Sequence, residues 1–523
     1  MKKVKKAMGN QPFDVAIVGL GPIGCAAAIQ FAEAGLRVAA IERDTDVYQL
    51  PRAVMMDGEI VRGFQRIGLG EEVAALLQPT REGDRAGFSN SKREWLFGQD
   101  FVPFGSNGWA PANMFDQPQV DGYLRKTAIE HPNVTSFVGF EATAIDNGDA
   151  AVTVDLRNLE SGDATEVTAS YLLGCDGASS FVRKSMNVGW HDLGYDHDWL
   201  VVDIEIKPGH TLTNTTIQVC DPDRLATYVC TKDPYRRWEF KLNEGETWEE
   251  MQRPEKIQEL LDPWTPRDTY SIRRTAVYQF HAAVADRWRI GRVLLAGDAA
   301  HQTPPFLGQG LNAGMRDVFN LAWKFPLVLS GTASEALLDT YQDERGAHAT
   351  DLVQWAVSIG QLMEHLAATE KAEREGAAAP GMPGALEQSG YGQGREAPPL
   401  RAGAICMSQV SDTGSTGYLF SQPIVRNGAG KEFLLDVLLG DGFALVTKGD
   451  VTLSQASQNI LDRLGAQTAS LAGLETVKGH FDPLFENATA AIVRPDRHVF
   501  GHTDESMSVD DLIHELGVKV GLQ

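Results

Sequence analysis

Residues 293–324 read VLLAGDAAHQTPPFLGQGLNAGMRDVFNLAWK, and strand, turn and helix chemistry follow one another there without a break. Val293 to Ala296 is a short apolar run of the kind that forms a buried strand, and it stops at Gly297-Asp298. A carboxylate at such a strand end accepts hydrogen bonds from sugar-like hydroxyls. Pro304-Pro305 then fix the backbone, and Gly308-Gln309-Gly310 lets main-chain N–H groups come close to a ligand. From about Leu311 to Lys324 the pattern predicts a helix, whose free N–H groups and positive dipole end face whatever lies over the glycines. An electron-rich ring that gains negative charge on reduction suits this stretch. The plainer reading, a Pro-Gly loop joining strand to helix, is argued against by the partners of this stretch elsewhere in the chain.

The first partner is at the N-terminal end. Phe13 to Val18 is an alternating apolar strand that runs into Gly19-Leu20-Gly21-Pro22-Ile23-Gly24 and an alanine-rich helical segment, Cys25 to Ala34. A second strand, Arg37 to Ile41, ends in Glu42. G-x-G-x-x-G thus has a strand before it, a helix after it and an acid at the end of the next strand, which is the setting for dinucleotide binding. The glycines permit a tight turn and close approach of a pyrophosphate, and Glu42 can hold an adenosine ribose. Arg43 and Leu50-Pro51-Arg52-Ala53 follow, with basic groups able to neutralise phosphates or simply to be solvated.

Composition bounds the remaining choices. With 523 residues, 43% hydrophobic and 22% charged, the chain has room for two or three ordinary globular domains. Lys and Arg total 47 against 70 Asp and Glu, and the net charge of -23 argues against nucleic acid or an anionic membrane as partner. Five cysteines, at 25, 175, 220, 230 and 406, form no C-x-x-C pair and no zinc spacing, so no metal site and a reducing compartment are expected. The basic start MKKVKKAMGN leads into a strand pattern rather than a signal-peptide core, and no apolar run is long enough to span a bilayer. A soluble, cytoplasmic protein is the expectation.

Between these motifs, residues 58–78 read as one helix with Ile60, Val61, Phe64 and Ile67 on a face, and Asp57 stands where its N-cap belongs. Residues 82–112 suggest crossing strands and loops, and Gln117-Pro118-Gln119-Val120-Asp121 starts another helix, from which Arg125 can reach phosphate and Gln117 a ring. Strand alternation over 151–156 and 167–173 ends in CDGASSFVR, residues 175–183, where Asp176 again sits at a strand end before a helix start. From Trp199 to Arg289 the alternating, aromatic pattern predicts a mostly antiparallel sheet that roofs a pocket over the ring site. Tyr228, Arg237, Glu239 and Tyr278 lie on that roof, but period-2 alternation does not say which of them face inward. Beyond Pro326 the chain is helical to about Ala368. Residues 369–400 read as a linker, and strands at 432–439, 443–446 and 490–494 with helices at 453–464 and 508–518 suggest a small α/β unit. With no cysteine after Cys406, a redox dithiol role is excluded for that unit and a structural or oligomerisation role is expected.

GLGPIG with Glu42, CDGASSFVR and the 293–324 stretch, in this order, resemble the single-component flavoprotein aromatic hydroxylases, the group of para-hydroxybenzoate hydroxylase and phenol hydroxylase, over about residues 12–365. Within the group the chain looks most like 3-(3-hydroxyphenyl)propionate hydroxylases, through LPRAVMMDGE (50–59, with Leu50 in place of a tyrosine), QPQVD (117–121), LDTYQDER (338–345) and VRPDRHVFG (493–501). The resemblance implies an α/β fold with a discontinuous FAD domain (12–88, 111–198, 286–368), an inserted, mostly antiparallel substrate-binding sheet (89–110, 199–285) and, after the linker, a thioredoxin-like C-terminal domain (401–523). It implies that Gly19, Gly21, Pro22, Gly24, Glu42 and Arg43 hold the ADP half of FAD, that Arg52, Gln117 and Arg125 contact flavin or phosphates, and that Asp176 serves FAD and pyridine nucleotide. Gly297-Asp298 would meet the ribityl or pyrophosphate region, and Gly308, Gly310, Leu311 and Asn312 the pyrimidine end of the ring. NADH or NADPH would dock transiently, because no second G-x-G-x-x-G unit is present.

The implied reaction is reduction of FAD by NAD(P)H, then transfer of one oxygen of O2 through a flavin C4a-hydroperoxide to the ortho position of a phenol. Asp57 matches an active-site aspartate of phenol hydroxylases, against its reading as a helix cap, and the Pro305 carbonyl is a candidate substrate contact. His301 is a candidate proton relay, against a buried histidine bonded to its surroundings. The partner is then a small phenolic substrate, with a homodimer left open as the assembly. Two alternatives stand beside this one: an FAD-dependent dehydrogenase or halogenase on the same scaffold, although the Trp-x-Trp-x-Ile-Pro stretch of halogenases is missing, and a non-catalytic flavin-binding protein.

Overall fold

The computed structural model describes residues 12–381, 397–411 and 413–523. Residues 1–11, which include the basic start, positions 382–396 of the expected linker and position 412 lie outside them. Five strands run parallel in the order Val134–Val138, Val38–Glu42, Phe13–Val18, Ala164–Gly174 and Val293–Leu295. Their nearly continuous apolar runs, such as Val15 to Val18 and Val293 to Leu295, are covered on both faces, as in buried parallel sheets. Parallel direction has a functional consequence. The residues at or just beyond the ends of four of these strands, Gly19, Glu42, Asp176 and Asp298, all come to one edge, the edge at which open α/β sheets bind ligands. The alanine-rich helix Pro22–Glu33 presents small side chains, so it lies close between this sheet and the long helix Gln309–Leu329, with Phe31 edge-on to Phe325 at 5.2 Å.

A second sheet of eight strands has the order His301–Gln302, Tyr270–Ala285, Trp190–Ile206, Tyr235–Lys241, Ala226–Cys230, Thr215–Val219, Arg85–Ser89, Trp95–Asp100. It is antiparallel except where Thr215–Val219 meets Arg85–Ser89. The sheet reaches beyond 199–285, because Trp190–Ile206 and Tyr270–Ala285 pair along almost their whole lengths and Arg85–Ser89 with Trp95–Asp100 completes the far side. Its faces separate by parity. Leu200, Val202, Ile204, Tyr228, Trp238 and Phe240 bury themselves against Met251, Ile257 and Leu261, while Val201, Thr227, Val229, Arg237 and Glu239 face the opposite way, towards the edge of the first sheet.

The C-terminal unit has a four-stranded sheet in the order Gln467–Ser470, Ala444–Thr447, Ala490–Val493, Val499–His502, with helices Gln455–Leu464 and Val509–Lys519. It shares a core with the helix Gln309–Leu329, where Trp323 meets Phe443 at 5.3 Å. Charged groups are buried at the seam as well. Arg62 holds Asp436 through two bonds of 2.6 and 2.8 Å, and Arg494 reaches Glu344 at 2.8 Å.

Four expected elements differ. The helix expected over 58–78 is broken into Gly58–Gln65 and Gly70–Ala74, because Gly68 takes a φ of +77° that ends a helix, and Leu77–Pro79 then pairs with Ala112–Phe115 as a strand. The helix expected from Leu311 starts at Gln309 and runs through Pro326 to Leu329. The strand expected over 432–439 stops at Leu434; Asp436–Leu439 is helical, since Asp436 turns inward to Arg62 and Arg497. The linker starts late, for the helix Thr340–Glu375 carries on through the first residues expected to be unstructured. Among the described residues no helix is long and apolar enough to cross a membrane, no group of His, Cys, Asp and Glu is arranged to hold a metal, and all five cysteines are free and buried.

Candidate active site

Between the edge of the first sheet and the inner face of the second lies a cavity of about 1250 Å³. Single drug-sized ligands occupy roughly 300–1,000 Å³, so there is room for a large cofactor and a small molecule beside it. Its lining joins segments far apart in sequence: Gly19 and Glu42, Asp298 and Pro305 to Leu311, Val201, Arg237, Glu239 and Phe280 on the roof, and Tyr418, Leu419 and His498 from the C-terminal unit.

The nucleotide end is built from backbone. Gly21 stands at the N-cap of Pro22–Glu33 and Gly310 in the first turn of Gln309–Leu329, and a Cβ at either would meet no atom within 4 Å. Two helix N-termini therefore open bare N–H groups onto the cavity, an arrangement that takes negative charge. Pro22, at the first helical position, has no N–H to leave unsatisfied. Glu42 accepts from the Leu20 N–H at 2.6 Å and the Asp44 N–H at 2.8 Å, which orients its carboxylate at the strand end. Arg43 is exposed at the rim, 3.6 Å from Asp44, and Arg125 is buried and donates to the Asp44 carbonyl. Gln117 accepts from the N–H groups of Arg52 and Ala53 at 2.8 and 2.7 Å, so it shapes the loop that carries Arg52 into the cavity. Asp176 is committed to its own turn, bonded to Ser180 Oγ at 2.5 Å and the Val182 N–H at 3.0 Å.

Asp298 differs from these. Its side chain is open to the cavity and makes no hydrogen bond with the described residues, although the surrounding walls exclude enough bulk water to push its carboxyl upward, against His301 and Arg52. A carboxylate without a partner, two bare helix ends and a ribose-height acid are the donor and acceptor set that a flavin adenine dinucleotide needs, and the residues fit that group. Gly21→Ala is expected to leave the melting temperature within about 2 °C, because the new methyl touches no protein atom. It should weaken flavin binding about tenfold or more; titration of the flavin-stripped protein with FAD measures it, and unchanged affinity would contradict the placement.

Asp57 stands at the N-cap position of Gly58–Gln65 yet makes no cap bond. Its carboxylate instead takes Arg316 Nη2 at 2.6 Å and Gln309 Nε2 at 3.1 Å, beside Pro305 on the cavity wall. Arg316 also donates to Glu59 at 2.8 Å and to Gln309 Oε1 at 2.8 Å. Burial pushes the Asp57 carboxyl up and the Arg316 guanidinium opposes it, with a net upward direction. On the roof, Arg237 bonds Asp203 at 2.7 and 3.1 Å and the carbonyls of Arg52 and Pro51 at 2.6 and 3.0 Å, so it ties the roof sheet to the loop that carries Arg52. Burial pushes Glu239 up to about 7, with Arg237 acting against it. Tyr278 lines the cavity under the Arg274 guanidinium.

Five candidates do not line the cavity. A Cβ on Gly24 would lie 1.8 Å from the Gly19 carbonyl oxygen, so this glycine serves the close turn itself. Gly297, at a φ of +61°, packs on Ile23 and donates to Asp317. Asn312 is fully buried and ties the helix start to strand Met55–Asp57, accepting from the Asp57 N–H at 3.0 Å. His301 is 1% exposed, bonded to Asp317 at 2.9 Å and stacked on Trp288, the buried arrangement weighed against the relay. Tyr228 is on the outer face, its hydroxyl bonded to the Thr213 carbonyl at 2.7 Å, because it pairs across the sheet with Trp238 and shares that residue's parity. Missed altogether were Arg316, Gln309, Asp203 and Arg274. The cross-strand parity of Tyr228 with Trp238 was a usable signal; nothing local marks Arg316 as the partner of a residue 259 positions away.

Comparison with known proteins agrees with this geometry. Residues 12–356 match a family model described as an FAD binding domain, and residues 417–517 match one described as the HcaD C-terminal domain. A 3-(3-hydroxyphenyl)propionate/3-hydroxycinnamic acid hydroxylase of Klebsiella pneumoniae is 34% identical over 439 residues, 83% of this chain and 78% of that protein. Its Escherichia coli K12 counterpart is 32% identical over 516 residues, 94% and 92% of the two chains. The crystal structure of aklavinone-11 hydroxylase with FAD and aklavinone superposes with a TM-score of 0.79 at 26% identity, covering 98% of this chain and 100% of that one. A dinucleotide edge, a roofed cavity and these relatives lead to one conclusion: the chain belongs to the single-component, FAD-dependent and NAD(P)H-dependent aromatic hydroxylases.

Proposed function

We propose that this hydroxylase adds one hydroxyl group ortho to the hydroxyl of a phenol, either a phenolic acid of the 3-hydroxyphenylpropionate kind or a related substituted phenol. The observation that carries the reading is the Asp57 carboxylate, held on the cavity wall by Arg316 and Gln309 with Pro305 beside it. FAD, when bound, supplies the redox chemistry: it accepts a hydride from NADH or NADPH and delivers one oxygen atom of O2 to the ring. The protein's own part is to make the ring electron-rich and keep water away. Asp57 accepts the phenol proton, and burial makes it a stronger base than a solvated aspartate. Arg316 opposes the upward push of burial on Asp57 and aims its carboxylate, while the Pro305 carbonyl offers an acceptor to the substrate hydroxyl. The roof strands and the C-terminal residues Tyr418 and Leu419 close the chamber against solvent.

The names of the relatives support a phenolic substrate, and a small arene fits the space left beside a flavin. The C-terminal unit is read as a thioredoxin-like fold without redox cysteines that covers the cavity and braces the FAD domain, and a homodimer is the assembly to look for by sedimentation. The test is to supply the purified flavoprotein with NADH or NADPH, O2 and a panel of phenols, and to record coenzyme use and product mass. A gain of one oxygen atom ortho to the phenol oxygen is expected. Formation of hydrogen peroxide with every phenol in the panel would overturn the reading, and loss of two hydrogens without added oxygen would favour a dehydrogenase.

A further inference from the structure

We propose that Arg274 anchors a carboxylate carried by the aromatic substrate. This rests on the cavity being the site of a phenol, and it selects the phenolic acids from the two substrate kinds above. Arg274 lies on the roof strand Tyr270–Ala285, lines the cavity and is 5% exposed. Its Nη1 donates to the Pro51 carbonyl, but Nε and Nη2 are buried without any hydrogen-bond partner among the described residues. Those two nitrogens form one edge of the guanidinium, with parallel N–H groups spaced to grip the two oxygens of a carboxylate.

The neighbouring arginine shows what such an edge does when it is filled. Arg237 turns its Nε and Nη2 to Asp203, at 2.7 and 3.1 Å, in the two-point grip that Arg274 lacks. Asp203 is thereby engaged, and Arg274 approaches it only to 3.6 Å. Glu239, the other acid of the cluster, is 4.0 Å from Arg237 and, pushed up to about 7 by burial, carries only part of a negative charge at neutral pH. Arg237 and Arg274 thus share Asp203, which Arg237 already grips, and Glu239. Burial and the nearby Arg237 both pull the Arg274 guanidinium downward, and an incoming anion would relieve that. The site is prepared as well as unsatisfied: Arg274 sits 4.9 Å over the Tyr278 ring and is tied to Pro51, so little side-chain freedom remains to be lost on binding.

The experiment uses FAD-loaded enzyme, wild type and the variants Arg274→Met and Arg274→Lys. Binding of 3-phenylpropionate and of its uncharged amide is measured by calorimetry, and turnover with 3-(3-hydroxyphenyl)propionate and its amide is measured alongside. For Arg274→Met the dissociation constant of the acid and the KM of the phenolic acid are expected to rise about 100-fold, the values for the amides to change less than about threefold, and kcat at saturation to stay within about threefold. Arg274→Lys should recover part of the acid affinity. Equal losses for acid and amide, or no loss for the acid, would overturn the assignment and mark Arg274 as structural. Because 3-phenylpropionate carries no phenol, its binding tests Arg274 even if no phenol is hydroxylated, and that second result would remove only the reading on which the inference rests.

Discussion

Asp57→Asn is expected to lower the rate of product formation by about 100- to 1,000-fold, the usual scale for a positioned proton acceptor. Asparagine keeps the shape and can still meet Gln309, but it cannot take a proton or hold the charge that Arg316 faces at 2.6 Å. Arg316 retains Glu59 at 2.8 Å, so the fold should survive. Flavin content and coenzyme oxidation should persist while reducing equivalents are diverted to hydrogen peroxide, which separates loss of substrate activation from loss of cofactor. Comparing hydroxylated product with coenzyme consumed settles the matter, and a product rate within about threefold of wild type would remove Asp57 from the mechanism.

The same pair fixes a pH dependence. As the proposed base, Asp57 works only when ionised, and burial raises its folded-state value above that of a solvated aspartate, so activity is expected to fall on the acid side at a higher pH than a solvated carboxylate would give. Arg316→Met removes the cation that opposes burial. The acid limb of kcat/KM should then move to still higher pH, whereas in Asp57→Asn it should vanish from the residual rate. A merely structural role for Arg316 would lower the rate without moving the limb.

Arg494→Met is expected to cost about 3–5 kcal/mol of stability, the range for removing one partner of a buried ion pair. Arg494 is completely buried and binds Glu344 at 2.8 Å, Asp496 at 2.5 Å and the Ala404 carbonyl at 3.1 Å, with Lys324 Nζ 3.0 Å from Glu344. Methionine fills much of the volume but leaves Glu344 with Lys324 and Asn320, and Asp496 with His498, Asn320 and Trp323. Burial pushes Glu344 upward, yet Arg494 and then Lys324 outweigh it and hold the carboxyl down to about 2. A carboxyl depressed on folding contributes stability that is complete above its unfolded value, about 4.3, and is lost as pH falls from there towards 2. Wild type should therefore lose this share of stability between about pH 5 and pH 2, and the variant should not show that slope. Urea unfolding at a series of pH values measures both. Adding Glu344→Gln to Arg494→Met should restore part of the loss, and a cost below about 1 kcal/mol for the single change would contradict a seam closed by charge.

Much of the nucleotide end was legible from residues next to one another. GLGPIG, the acid at Glu42 and the turn after Val293–Leu295 specify strand, turn and helix locally, because φ, ψ and hydrogen bonding of a few successive residues decide them. The parallel order of the strands then brings those turns together without further instruction. The single helix expected over 58–78 failed for a local reason, the left-handed Gly68, and the strand expected over 432–439 for a distant one, the pull of Arg62 on Asp436 across 374 positions. Tyr228 and His301 drew attention for their chemistry alone, and burial against Trp238 and Trp288 gave each a structural task.

By itself the amino-acid order determined the family, the strand–turn–helix edge of the first sheet and the existence of a roof sheet, since each is written in short-range pattern and main-chain geometry. Only the tertiary structure decided which side chains face the chamber, that Asp57 is paired with Arg316 rather than capping a helix, and that the buried Nε–Nη2 edge of Arg274 is left unpaired where that of Arg237 is filled. Those are matters of strand parity and of partners more than two hundred positions apart, and a side chain's charge acts on whatever the folded chain brings within a few ångströms, not on its neighbours in sequence.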